Sequence, residues 1–312
     1  MNRRPDNSPC SGTLAGVDVS VVIPTYRRPD AALSAVLSVL AQTQRPREIV
    51  LVIDGEDSSG YEALEQRVGD PILQLVRTGS ANGAAGARNI GVQHATSTWV
   101  AFLDDDDTFL PTKLERQMLA LDEAGLSSGS TAVISTTALV ATDGGNRVER
   151  WPGRAPRPHE RIEDFLFGLG PGPSRFRVLS TCTLLVTRDL LLEVPMRGRA
   201  FDDWDWQIRA SPHARRHHLD EVLTVVALGG VGLTSGTTLA DGQTWLDSMR
   251  PLISEAAYAA ACLTVLGRLA ADKGTLRDSA RLFAEAAKHH ATARQLAEYP
   301  LRVASRRIRR RL

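Results

Sequence analysis

The sequence predicts an α/β fold: a mostly parallel sheet flanked by helices, followed by a helical C-terminal appendage. Three observations carry this. From Val19 onward strand-like runs alternate with segments of helical period. The strand runs are apolar throughout rather than at every second residue, as strands covered on both faces are. Past residue 238 the composition shifts to helix formers.

Each element has its own reason. "VSVVIP" (19–24) is a β-branched run closed by a proline, and in the following "PDAALSAVLSVLAQT" the residues Leu33, Val36, Leu37 and Leu40 recur at the i, i+3, i+4, i+7 spacing of one helical face. "EIVLVID" (48–54) is the next buried strand; helical "GYEALEQRVGD", short "ILQLV", Ala/Gly-rich "GAAGARNIGVQHA" and "TWVAFLD" continue the series. Then come a proline-opened helix (111–125) and a strand (131–142). Residues 143–178 are rich in Gly, Pro and Arg and predict loops around one short helix. Two further strands, 180–187 and 221–228, bracket "FDDWDWQIRA", and "GGVGLTSG" (229–236) reads as a mobile link. The predicted organisation is a leader over 1–17, a main domain over 18–238 and a helical appendage with a basic tail over 239–312.

Bulk properties narrow the setting. Lys+Arg 37 against Asp+Glu 36 leaves a formal charge of +1, so no overall basic field points to a nucleic-acid partner. Cys10, Cys182 and Cys262 are odd in number and widely spaced, which disfavours a disulfide framework or a zinc site. The polar first residues lack the apolar core of a secretion signal and read as disordered. The apolar stretch 256–267 is well short of the ~20 residues a membrane span needs. The chain reads as cytoplasmic, or at most peripheral at the inner face of the membrane.

In such a sheet the binding crevice lies beyond the carboxyl ends of the strands. Asp54 ends one strand, Thr25 and Tyr26 follow another, and Asp104 to Asp107 close a third, so these residues should converge. The run "FLDDDDTFLP" is the sharpest signal, because adjacent charges ~4 Å apart repel by roughly 1 kcal/mol even in water. A solvated turn or a helix cap needs only one or two such residues. A hard divalent cation such as Mg²⁺, which takes carboxylate oxygens and shares them with substrate phosphates, accounts for more of them.

"VSVVIPTYRRP", "EIVLVIDGEDSS", "GAAGARNIGVQHATSTWVAFLDDDDTFLPTKLE" and "FDDWDWQIR" resemble, in order and spacing, the landmark segments of family 2 glycosyltransferases, which have the GT-A fold. The resemblance covers roughly residues 18–230. It implies a nucleoside-diphosphate sugar donor, a hydroxyl acceptor, Mg²⁺ or Mn²⁺, and inversion at the anomeric carbon; UDP is the first expectation for the nucleotide. Carried over by position, Pro24, Thr25, Tyr26 and Asp54 would line the base and ribose, and Arg88 would lie near the base or diphosphate. Asp104 and Asp106 would be the outer residues of the family's D-x-D signature, Asp106 on the metal and Asp104 nearer the ribose or sharing the metal. Asp105 and Asp107 are alternatives one residue out of register. Asp203 would be the general base. Two departures stand out: Asp202 replaces the usual glutamate, and "IDGED" stands where "DDGS" is common.

Blander readings stand beside these. Asp54 could simply end a strand in an Asp-Gly turn, and Arg88 could pair with a surface acid. Trp204 and Trp206 could be core beside the site or a sugar-stacking platform; Trp206 reads as core. His217 and His218, adjacent on a strand, point to opposite faces, which argues against a metal pair. Asp202 and Asp205, three apart on a helix, should share a side, with Asp203 about 100° from Asp202. Two other functions stay open: a nucleotidyltransferase acting on a sugar phosphate, which would want a Gly-rich triphosphate loop, and a non-catalytic sugar-nucleotide or carbohydrate-binding protein. Finally, "PLRVASRRIRRRL" places Leu301, Ala304, Ile308 and Leu312 on one helical face among six arginines. That pattern is either a helix lying on an anionic membrane or a solvated basic tail.

Overall fold

The computed structural model describes residues 17–309 other than 127–128, 143–146, 170–176, 199 and 228–235. All of the expected leader but Val17, which opens the first strand, nearly all of the 229–236 link and the last three residues of the basic tail lie outside the described residues.

The amino-terminal half is a run of strand–helix units. β1 (Val17–Thr25), α1 (Pro29–Leu40), β2 (Pro46–Ile53), α2 (Tyr61–Val68), β3 (Leu73–Arg77), α3 (Gly83–His94) and β4 (Trp99–Phe102) follow in order. α1 has a proline at its first position, where no N–H is needed. It stops at Leu40, the last residue of the apolar pattern, and the next residues bond across to the acidic segment: Gln42 Nε2 donates to Leu110 O (2.8 Å) and Thr43 N to Pro111 O (2.8 Å).

β5 (Thr108–Phe109), α4 (Lys113–Glu123), β6 (Ala132–Thr142), β7 (Arg147–Trp151) and α5 (Ile162–Leu166) come next. β7 is a strand in a region whose Gly/Pro content predicts only loops and a helix. β8 (Leu184–Thr187) is half the length of the predicted 180–187 strand, since Thr183 Oγ1 donates to Ser180 O (2.6 Å) and winds 181–183 into a 3-10 turn. α6 (Arg188–Glu193), α7 (Asp202–Ala210) and β9 (Arg215–Ala227) complete the sheet region, β9 starting six residues before the predicted strand.

The nine strands form one mixed sheet in the order β3-β2-β1-β4-β8-β6-β9-β5, with β7 paired to β6. β1, β2, β3 and β4 are parallel, as are β6 and β9, whereas β8 runs antiparallel to both β4 and β6. Alternate residues feed different cores. Val19, Val21 and Ile23 pack with α1, α2 and α4; Val22, Val50 and Phe102 pack with α3, α6 and α7. Both faces are therefore covered, which is why these strands read as apolar throughout. α3 lies so close to the sheet that a Cβ on Gly91 would sit 2.3 Å from Val22 Cγ1.

Beyond the sheet lie α8 (Leu239–Met249), α9 (Glu255–Ala261), α10 (Gly267–Lys273), α11 (Leu276–Lys288) and α12 (Ala293–Arg309); a π turn, Cys262–Leu266, joins α9 to α10. α8 and α11 open with Thr238/Asp241 and Thr275/Asp278 capping boxes. These helices share a third core with α5 and the Ile208 face of α7. No helix among the described residues is long and apolar enough to cross a membrane.

Candidate active site

Parallel pairing brings the strand ends together. Asp54 N donates to Thr25 O (2.8 Å) at the ends of β2 and β1, and Leu103 N donates to Val22 O (3.1 Å), so the acidic turn begins beside β1. Pro24 is buried inside β1 opposite Val52, and the strand runs one residue further, to Thr25, than the predicted 19–24. Thr25 is buried, and its hydroxyl links Asp105 Oδ2 (2.8 Å) to the Tyr61 hydroxyl (2.9 Å). Tyr26 is 47% exposed and lies across Gly55, where an added Cβ would meet its Cε2 at 3.1 Å; with φ +94°, that position favours glycine twice over.

Asp54 does more than end a strand. Its carboxylate accepts from the backbone N–H groups of Asn82 and Gly83 (2.9 Å to the nearest oxygen of each) and from Thr78 Oγ1 (3.1 Å). It thus meets the unpaired donors at the start of α3, where the helix dipole favours an anion. In doing so it sets the helix that carries Arg88.

The four aspartates alternate in direction. Asp105 and Asp107 are buried and engaged inward, whereas Asp104 and Asp106 keep about a third of their side-chain surface in solvent. Asp107 accepts from Ala227 N (3.0 Å), tying the turn to β9. Burial pushes the Asp105 carboxyl up to about 6 against the pull of Thr25 and Arg28; burial and the Asp104 charge push Asp107 up to about 8. Beneath the turn sits Lys113, fully buried, its Nζ donating to Gln117 Oε1 (2.6 Å) and lying 4.2 Å from the centre of the Phe109 ring. Burial brings it down to about 7. It shares this pocket with Cys182, whose thiol is pushed up by burial and by Asp107.

Two arginines hold the acids in place. Arg28 donates to Asp106 Oδ2 (2.9 Å) and Asp105 Oδ1 (2.5 Å). Arg88, 4% exposed, donates through Nη2 to Asp104 Oδ1 (2.5 Å) and through Nη1 to Asp202 Oδ2 (2.8 Å), and its Nε has no partner among the described residues. Burial opposes its charge, but the Asp104 and Asp202 carboxylates outweigh that and raise its pKa. Arg88 is therefore no surface pair: it couples the acidic turn to the start of α7.

α7 sorts its three aspartates. Asp202 faces Arg88, and Asp203, partly buried beside it, accepts from Trp204 N (2.8 Å). Burial first and the Asp202 charge second push the Asp203 carboxyl up to about 7. Asp205 does not share the side of Asp202. It is buried and pairs with Arg209 (2.5 Å) and Arg197 (3.2 Å), an i, i+4 contact turning it away from Arg88. Trp206 is core, its Nε1 donating to Val194 O (2.8 Å). Trp204 packs with Phe201, Phe167 and Trp245 where α7 meets α8. His217 is exposed; His218 turns inward onto Ser135 Oγ (2.9 Å), and burial brings it down to about 4. The pair is no metal site.

Among the described residues no three His, Cys, Asp or Glu side chains converge on a ready-made metal cage. The donor set still suits Mg²⁺ or Mn²⁺, which keeps several waters and binds through one or two carboxylates plus phosphate oxygens. Asp106 and Asp104 are the two carboxylates of the turn that reach solvent. Sequence reasoning missed Arg28, Tyr61, Asn82 and Lys113. Only Arg28 left a signal, as one of two arginines in the loop after the first strand.

Residues 20–171 match the model described as Glycosyl transferase family 2. That segment, just under half of the chain, belongs to this family. Among curated relatives, the chain is 36% identical over 108 residues to the succinoglycan biosynthesis protein ExoO of Rhizobium meliloti, covering 35% of this chain and 31% of that protein. It is 31% identical over 125 residues to WfgD of Escherichia coli, a UDP-Glc:alpha-D-GlcNAc-diphosphoundecaprenol beta-1,3-glucosyltransferase, covering 39% and 49%. It thus spans less than half the length of these relatives. The fold is that of S. aureus TarS, whose structure in complex with UDP-GlcNAc aligns with TM-score 0.64 at 14% identity, covering 93% of this chain and 89% of that one. A Pyrobaculum calidifontis mannosyltransferase in complex with GDP-Man and Mn²⁺ aligns at TM-score 0.55 and 18% identity, covering 92% and 79%. The α/β GT-A architecture of the chain is thereby established.

Proposed function

We propose that this chain transfers a sugar, with inversion, from a nucleoside-diphosphate sugar to the hydroxyl of a glycan, lipid-linked or secondary-metabolite acceptor. The observation that carries the reading is the Arg88 bridge, which draws the acidic turn and the Asp202–Asp203 end of α7 into one crevice. A UDP-sugar is the favoured donor, since WfgD uses UDP-Glc and TarS binds UDP-GlcNAc.

The residues divide the work. Thr25, Tyr26 and Asp54, with Pro24 as the backbone floor, form the base and ribose side. Asp106, with Asp104, would hold Mg²⁺ or Mn²⁺, which when bound supplies stabilisation of the charge on the departing diphosphate. Asp104 also faces the ribose, and Asp105 stiffens the turn from beneath. Arg88, charged and buried, keeps the turn and α7 in register while the donor binds. Asp203 receives the proton of the acceptor hydroxyl as its oxygen bonds to the anomeric carbon and the bond from that carbon to the diphosphate oxygen breaks. Attack from the side opposite the diphosphate inverts the centre. A carboxylate at about 7 suits the step, because a base titrating near the working pH is both available and strong enough.

The test is a thermal-shift panel of UDP-, GDP- and dTDP-sugars, with Mn²⁺ or with EDTA, on the wild type and Asp106→Ala. At a donor concentration of 100 times Kd the wild type should gain roughly 2.7 kcal/mol in Mn²⁺ and far less in EDTA. Asp106→Ala should lose the difference between the two conditions. Equal donor binding in EDTA would remove the metal from the reading, and no binding of any sugar nucleotide would remove the reading itself.

A further inference from the structure

Charge is segregated along this chain. Residues 267–312 contain twelve Lys and Arg against four Asp and Glu, although the whole chain is only +1, so everything before residue 267 is net negative. The described part of this segment, α10 to α12, packs onto the helical core. α12 turns Tyr299 and Val303 inward; Tyr299 lies against Gly267 of α10, where a Cβ would meet its Cε2 at 2.4 Å. Arg306 Nε on Asp272 Oδ1 (2.5 Å) then fixes the rotation of the helix.

With that face committed, the opposite one is turned to solvent. Leu301 (72% exposed) and Ile308 (60%) stand seven residues apart, two helical turns, with the exposed Ala304 between them. Leu276, 66% exposed, opens α11 four residues after Asp272, at the same end of the bundle. Arg302 on the same helix, paired with Glu298, and Arg277 and Arg281 on α11 are exposed.

We propose that this end of the helical region docks on an anionic lipid bilayer, with Leu301, Ala304 and Ile308 entering the interface and the arginines meeting headgroup phosphates. An aliphatic stripe beside basic side chains is the pattern of a helix lying in the plane of a membrane surface. The stripe also chooses the occupant. A polyanion in solution would be held by the arginines alone and would leave the aliphatic side chains in water, whereas a bilayer takes up both. The inference goes beyond sugar transfer and does not depend on it.

The full chain is sedimented with vesicles of phosphatidylcholine alone and of phosphatidylcholine mixed with phosphatidylglycerol, at low and at physiological salt. The wild type should partition onto the anionic vesicles at least about tenfold more strongly than onto neutral ones, as expected for several basic residues near such a surface. The double variant Leu301→Ser/Ile308→Ser and the triple variant Arg277→Gln/Arg281→Gln/Arg302→Gln should each lose most of that preference. Both sets of side chains are exposed, so wild-type melting curves should show intact folds. Leu301→Trp supplies a second readout: its emission should shift to the blue on anionic vesicles and stay unchanged with soluble polyphosphate. Wild-type binding by the Leu301→Ser/Ile308→Ser variant, equal shifts with polyphosphate, or no binding of the wild type to anionic vesicles would each overturn the proposal.

Discussion

Asp203→Asn should make the protein inactive and more stable at once. The carboxyl is raised from 3.8 to about 7, so the folded state carries a penalty for ionising it. Between those values the folded chain holds a proton that the unfolded chain has released, so this group makes stability fall as pH rises from about 4 to 7. Above pH 7 the full penalty is present. At about 1.4 kcal/mol per pH unit the shift sets a ceiling of ~4 kcal/mol, and because Asp203 is only partly buried we take half, ~2 kcal/mol. Asparagine keeps the shape and the oxygen that accepts from Trp204 N, so little else is lost. With an unfolding entropy of about 2.1 cal/mol/K per residue over 312 residues, the gain is roughly 3 °C in Tm at pH 8, fading to nothing near pH 4. Transfer should fall by roughly 10²-fold or more, while donor affinity holds. The assays are thermal melts at pH 4, 6 and 8 beside initial rates, whose wild-type profile should rise through about pH 7. A variant that is less stable at pH 8, or a gain independent of pH, would refute the electrostatic reasoning; near-normal transfer would remove Asp203 as the base.

Two further substitutions probe the frame around it. Arg88→Met leaves the Asp104 and Asp202 carboxylates facing each other across a buried gap; breaking a buried pair costs about 3–5 kcal/mol, or roughly 5–8 °C in Tm, and donor binding should go with it. A variant melting within a degree of the wild type would show that the bridge is not what holds α7 to the turn. Gly91→Ala should improve helix propensity by about 1 kcal/mol yet destabilise overall, since overpacking against Val22 and Val52 costs ~1–3 kcal/mol. Chemical denaturation decides the sign, and weaker donor binding should accompany it because Arg88 lies one turn away on the same helix.

The sequence by itself determined the layers, the order of the first strands and the location of the acidic turn. These are local properties: strands covered on both faces must be apolar throughout, and polar residues must gather where strands end. It also determined that Leu301, Ala304 and Ile308 share a helical face, since that is helical periodicity alone. Only the tertiary structure decided which face of α12 turns inward, because Tyr299 and Val303 find their partner on α10, about thirty residues earlier in the chain. The same holds for the antiparallel β8, for the inward and outward sorting of the four aspartates, and for the roles of Asp202 and Asp205. Arg88 meets Asp104 from 16 residues away and Asp202 from 114. A guanidinium is attracted to any carboxylate, and the chain carries 36 acidic residues. Which two it holds follows from strand order and the packing of α3 against the sheet, and neither is written in the neighbourhood of the arginine.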